Sequence, residues 1–194
     1  MIRTIEEFYL GAEKVIEEFD VFAERSKAQN LIMVDHICYK CASTTTYEQL
    51  RSMFEFHSYY IYQSFISDRR IAYIRLMRDI PTKLNSIGFL ELSDQRPDGS
   101  QIEGYDHIEI YPPNMDSHQC LVTKLAAMEN LRKVVRPHQV TYEVTLTENF
   151  HIKCATGPLL NKIITQELPV KITEKKSYSR ASSLAESNKM TLSI

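Results

Sequence analysis

The chain has no excess of charge of either sign. Its 23 lysines and arginines nearly balance 25 aspartates and glutamates, for a net charge of −2. That gives no electrostatic case for nucleic acid or an anionic membrane, both of which call for a basic surface. No apolar run approaches the roughly 20 residues that a membrane-spanning helix needs. The N-terminus, MIRTIEEFYL, is acidic and amphipathic, unlike a secretory signal or an Arg-rich transit peptide. Cysteine is scarce too, at four residues: Cys38, Cys41, Cys120 and Cys154. So few exclude a disulfide scaffold, and a reducing, cytoplasmic setting is the expectation. Cys38 and Cys41 have the spacing of a zinc or redox pair, yet no second pair accompanies them. Residues three apart on a strand also face opposite ways, so both are read as small buried thiols.

What the chain does have is patterned hydrophobicity. Apolar residues make up 43% of its 194 positions, enough for one large domain or two small fused modules. From Thr4 to about Ala28, Phe8, Tyr9, Ala12, Val15, Ile16, Phe19 and Phe22 recur at helical spacing. They predict an amphipathic helix packed on the domain, with Thr4 and Glu7 as its capping box. A strand at 31–40, a helix at 47–57 capped by Thr45 and Glu48, and three strands near 59–65, 71–77 and 87–92 follow. After the turn-rich SDQRPDGSQ the same order returns. A strand at 104–111 precedes a helix at 116–131 capped by Asp116 and Gln119. A weakly marked strand near 133–136, a hairpin of strands at 140–146 and 150–154, and a short closing helix or turn region at 159–167 complete the set.

The fold class predicted is α+β: two βαβββ modules, residues 31–93 and 104–168, behind an N-terminal helix at 1–30. Together the modules would form one curved, cradle-like mixed sheet. Residues 173–194, rich in Ser and Lys and poor in apolar side chains, predict a disordered tail. Tyr59, Tyr60, Tyr62 and Phe65 are expected at the sheet–helix interface, with one or two lining the cavity, and Arg75 at the surface.

The polar residues inside the strands carry the chemistry. Asp35-His36-Ile37 and Asp106-His107-Ile108 repeat one signature on the first strand of each module. In IGFLELSD, Glu91 shares a strand face with Phe89 and Ser93, where a carboxylate is costly to bury without a positive partner. A divalent cation is such a partner. Two imidazoles and a carboxylate suit Zn, Ni, Fe(II) or Mn and leave positions open for water or substrate. Strict alternation turns Asp35 and Asp106 away from the rings beside them. It leaves Glu109 and Tyr111 on the face of His107, to hold its second nitrogen or a bound ligand.

GFLELSDQRPDGSQIEGYDHIEIYP resembles the vicinal oxygen chelate superfamily of glyoxalases and extradiol dioxygenases. The closer resemblance is to the YecM family, over roughly residues 5–168. It includes the first Asp-His strand, the Leu-Glu-Leu strand, the Asp-His-Ile-Glu-Ile strand and a late Ile-Lys segment. The resemblance implies metal ligands at His36, Glu91 and His107. The superfamily's fourth ligand, a glutamate on the last strand of the second module, falls on Lys153. An ammonium cannot bind a metal. Lys153 is instead read as a partner for Glu109 or a substrate anion, or as an acid/base if burial lowers its pKa. His151, on the same face, is a weaker substitute ligand. The activity implied is that of a metal-dependent isomerase, lyase or dioxygenase acting on a small oxygenated molecule, with Lys153 and Glu109 as candidate catalytic groups. The alternative is a non-catalytic module that binds a small molecule or a partner and carries a degenerate metal site. The oligomeric state stays open.

Overall fold

The computed structural model describes residues 2–128, 131–136 and 139–159. The expected closing helix beyond Leu159 and the expected tail at 173–194 lie outside the described residues. The chain opens with helix α1 (Ile5–Ser26), whose N-cap Thr4 accepts a hydrogen bond from the Glu7 backbone amide at 3.2 Å. Glu7 answers by accepting from the Arg3 amide at 2.6 Å, which completes a reciprocal cap. The helix stops where Lys27 turns left-handed, with φ of 49°.

The first module follows as β1 (Met33–Lys40), α2 (Thr44–Glu55), β2 (Ser58–Ile66), β3 (Arg69–Ile80) and β4 (Ile87–Ser93). The expected cap of α2 is corrected. Ser43, not Thr45, accepts from the Thr46 amide at 3.0 Å, so the helix begins at Thr44. The second module is β5 (Gly104–Tyr111), α3 (His118–Ala126), β6 (Arg132–Arg136), β7 (Gln139–Thr147) and β8 (Phe150–Cys154). Here α3 is shorter than the pattern at 116–131 implied. A 3-10 turn (Met115–Ser117) leads into it, and Asn114 rather than Asp116 caps that turn, accepting from the Ser117 amide at 3.0 Å. The weakly marked strand is present as β6.

The eight strands form one sheet in the order β2-β3-β4-β1-β5-β8-β7-β6. β1 and β5 pair antiparallel at its centre, β4 runs parallel to β1, and β8 runs parallel to β5. The order is therefore one four-strand pattern used twice, with β5 standing for β1 and β8 for β4. One sheet face is apolar. Ile37, Ile74, Leu90, Ile108, Ile110 and Ile152 join Phe8, Phe19 and Phe54 of the helices in a single buried cluster. α1 seats closely on β5: a Cβ on Gly11 would lie 2.9 Å from the Tyr105 ring, and the Tyr105 hydroxyl donates to the Phe8 carbonyl. With the helices on one face, alternation sends His36, Glu91, His107 and Lys153 to the other.

Two expectations about aromatic side chains change. Tyr59 and Phe65 are exposed, because β2 is an edge strand that meets α2 through other residues: Ser58 donates to the Phe54 carbonyl, and Gln63 accepts from Tyr47 and Arg51. Tyr62 is buried on the opposite face with Ile71, Tyr73 and Leu159, and Tyr60 meets Phe89. Arg75 donates to the Gly88 carbonyl at 2.9 Å and pairs with Asp79. No helix among the described residues is long and apolar enough to cross a membrane.

Ile37 lies on a central strand at 0% exposure, whereas Val135 on the edge strand is 71% exposed. We expect Ile37→Ala to cost about 2–5 kcal/mol through lost burial and the cavity left behind. Val135→Ala should stay within about 0.5 kcal/mol. Urea unfolding of the two variants checks the contrast.

Candidate metal centre

The central strands are irregular at two matched points. Val34 and His36 pair with Ile110 and Glu109, which leaves Asp35 as an extra residue on β1. Cys38 and Tyr39 pair with His107 and Tyr105, which leaves Asp106 as an extra residue on β5. Each is a β-bulge, with two residues opposite one, and a bulge suspends the alternation of faces locally. Both aspartates therefore turn toward the neighbouring ring. His36 Nδ1 lies 3.0 Å from Asp35 Oδ2, and His107 Nδ1 lies 2.7 Å from Asp106 Oδ2. The expectation that Asp35 and Asp106 point away is overturned, because it assumed unbroken alternation. Asp35 Oδ2 also accepts from the Leu159 amide at 2.8 Å, which fixes it further.

These contacts set the tautomers. A neutral ring that donates from Nδ1 to a carboxylate has its lone pair on Nε2. At His107 a second group competes, since Lys153 Nζ lies 3.0 Å from the same Nδ1. An ammonium only donates, so Nδ1 cannot serve both. The shorter contact, with charge on the acceptor, assigns the Nδ1 proton to Asp106. Lys153 then pairs with Asp106 Oδ2 at 3.6 Å, while Lys40 pairs with Oδ1. The second nitrogen of His107 is thus held by Asp106, which Lys153 in turn pairs with, and not by Glu109 or Tyr111 as expected. Glu109 instead groups with Asp35 and His36, all within 4.8 Å.

His36, Glu91 and His107 each offer one ligand atom, and these atoms lie within 4.8 Å of one another. The two rings stand 5.8 Å apart between centroids, at 75°. His36 Nε2 is 3.6 Å from Glu91 Oε2, too long for a hydrogen bond, and is buried without a partner. Leaving such an atom unsatisfied costs about 1–3 kcal/mol. The other oxygen of Glu91 accepts from Cys38 Sγ at 3.3 Å. His151 contacts Thr145 Oγ1 at 3.2 Å and belongs to none of the ligand clusters among the described residues.

Electrostatics sharpen the picture. Burial works to lower the His36 pKa, but Glu109, Asp35 and Glu91 outweigh it and hold it up at about 10. Burial and the Lys153 ammonium lower that of His107. Burial works to raise Glu91, yet His36, His107 and Lys153 hold its carboxyl well below the ordinary range. The same holds for Asp106, where His107, Lys153 and Lys40 override burial. Burial, with Glu91 and Asp106 close by, pushes the Cys38 thiol well up, so it stays an S–H donor. With no ion bound, the His36 ring is thus protonated at neutral pH and joins Lys40 and Lys153 as a positive charge among several carboxylates, its Nε2 lone pair free only once that proton leaves. A divalent ion would carry that charge instead, bound by two imidazole nitrogens and a carboxylate oxygen. The donor set and the orphaned Nε2 both fit one.

Comparison with known proteins adds the following. A family model described as "YecM protein" matches residues 4–177. No curated protein matches the chain. A structural-genomics protein, EC4020, is similar with a TM-score of 0.61 and 19% identity, over 81% of this chain and 91% of that one. That likeness establishes a shared fold alone. A xylose isomerase-like TIM barrel/4-hydroxyphenylpyruvate dioxygenase fusion protein has a TM-score of 0.35 at 9% identity, over 76% of this chain and 30% of that one. The fosfomycin resistance protein FosX from Mesorhizobium loti has a TM-score of 0.27 at 9% identity, over 68% of this chain and 97% of that one. Scores at that level carry no argument about activity.

Asp106 is the counter-charge for Lys40, Lys153 and the His107 ring at once. We expect Asp106→Ala to cost the metal-free protein about 3 kcal/mol or more, because it leaves buried cations uncompensated. Adding Lys40→Met to that variant should return part of the loss, as denaturant titration would read out.

Proposed function

The chain belongs to the YecM family, and on that footing we propose that it is a metal-dependent enzyme acting on a small oxygenated molecule. The observation that carries this reading is the convergence of His36, Glu91 and His107, from three different strands, on one buried point with His36 Nε2 unpartnered. These three residues would hold a divalent ion such as Zn, Ni, Fe or Mn, since a mixed nitrogen and oxygen set accepts several. When bound, the ion supplies Lewis acidity toward the oxygens of a substrate.

The remaining work falls to the chain's own groups. Asp35 and Asp106 would accept hydrogen bonds from the Nδ1–H groups and so leave Nε2 of both histidines to face an ion. Lys153 stands in register with Glu109 on the same sheet face, an ammonium beside a carboxylate. They are the candidates to deliver and accept a proton. On the first-module side, Tyr73 lies in register with Glu91 and Phe89 with His36, an aromatic wall that limits water at that flank. Isomerase, lyase and dioxygenase chemistry each suit this set of groups.

One observation favours a second reading, a non-catalytic module for a small molecule or a partner. Lys153 is the counterpart in the second module of Glu91 in the first. One half of the site therefore brings an ammonium where the other brings a carboxylate.

Reconstitution with each of the four metals, followed by elemental analysis, tests the proposal. The wild type should hold about one equivalent per chain, and His36→Ala and His107→Ala essentially none. At a hundredfold excess over Kd the ion should stabilise the fold by about 2.7 kcal/mol. Asp35→Ala should weaken metal binding by about 10–100-fold by releasing the His36 ring. Uptake by the wild type below about a tenth of an equivalent for every metal would decide for the binding module.

A further inference from the structure

The two-fold relation between β1 and β5 extends to a pair of side chains in each module. Asp35-His36-Ile37-Cys38 on β1 is matched by Asp106-His107-Ile108-Glu109 on β5. Cys38 lies in register with Glu91 of β4, and Glu109 with Lys153 of β8. The second module thus sets a carboxylate against an ammonium, and the first sets a thiol against a carboxylate. A carboxylate at the place of Cys38 would meet Glu91 as a like charge, which is destabilising between direct cross-strand neighbours.

The thiol does something a methyl group would not. Its Sγ lies 3.3 Å from Glu91 Oε1, and the opposite oxygen, Oε2, is the one that faces His36 Nε2 at 3.6 Å. Cys38 is fully buried, and it is also in register with His107 across the sheet. It therefore stands between the two outer members of the ligand set, beside a buried His36 nitrogen that has no partner.

We propose that Cys38 is a positioning residue of this centre: its S–H engages Glu91 Oε1 and leaves Oε2 as the one oxygen presented to a divalent ion. The inference rests on the metal reading given above. Without the thiol, the Glu91 carboxylate is free to turn and offer both oxygens, which adds a ligand atom and removes a position for substrate. Ligating carboxylates are commonly held by such outer hydrogen bonds, and their loss weakens metal binding by about 10–100-fold.

Cobalt(II) loaded into the full chain supplies the test, with affinity and visible absorption read for the wild type, Cys38→Ala and Cys38→Ser. Cys38→Ala should bind cobalt about tenfold or more weakly, with d–d bands of lower intensity as the coordination number rises. Cys38→Ser keeps a donor and should restore both. An unaltered spectrum and affinity in Cys38→Ala would reduce the thiol to packing and overturn the inference while the metal reading stands. So would an intense sulfur-to-cobalt charge-transfer band in the wild type, since Cys38 would then be a ligand itself. If Cys38→Ala does not fold, zinc X-ray absorption on the wild type decides. A sulfur at about 2.3 Å from zinc overturns the inference, and a shell of nitrogen and oxygen alone supports it. Failure of the wild type to bind cobalt at all removes the metal reading and this inference with it.

Discussion

The antiparallel pairing of β1 with β5 is the constraint on which the rest depends. Each strand carries one bulge, and each bulge holds an aspartate beside a histidine. Because the strands are adjacent at the centre of the sheet, the two rings come within 5.8 Å of each other. Because the bulges break the alternation of faces, each aspartate stays on the side of its ring. Regular pairing would have kept the histidines close but left both Nδ1 atoms without those carboxylates. Glu91 then arrives from β4 on one flank and Lys153 from β8 on the other.

Such a concentration of buried ionisable groups survives only if the charges answer one another. Asp106 is bounded by Lys40, Lys153 and the His107 ring. Asp35 accepts from the His36 ring and from the Leu159 amide. Glu91 takes the Cys38 thiol on one oxygen and faces His36 with the other. The exception is His36 Nε2, buried and without a partner. Two imidazoles and a carboxylate converge at that nitrogen, a donor set that suits a divalent metal.

A repeated strand pattern supplies the frame, and departures from it distinguish the two halves. The Asp-His-Ile signature is common to both modules, but Cys38 stands where the other half has Glu109, and Glu91 where it has Lys153. Both substitutions are paired across a strand boundary, so each half is internally compatible: donor with acceptor, cation with anion. In the proposed reading, Glu91 of the first module would be the oxygen ligand, and the Glu109–Lys153 pair of the second would handle a proton or an anion.

Amphipathic spacing in α1 and the repeated order of strands and helices were legible in the chain through periodicity, whereas the grouping of His36, Glu91 and His107 followed from the repeated module order and the family resemblance. Helix ends were less so. Ser43 and Asn114 displaced the expected caps since several Ser, Thr, Asp and Asn residues stand near each terminus and local geometry selects among them. The roles of Asp35, Asp106 and Cys38 could not be read from alternation. A bulge is a property of two paired strands, and register is settled only when the sheet closes. The one signal available was the Asp-His dipeptide itself, present twice. Residue types and the faces of the regular stretches were thus set by the sequence, whereas the faces of Asp35 and Asp106, and so which carboxylate holds which ring, were decided by tertiary pairing through one extra residue on each central strand.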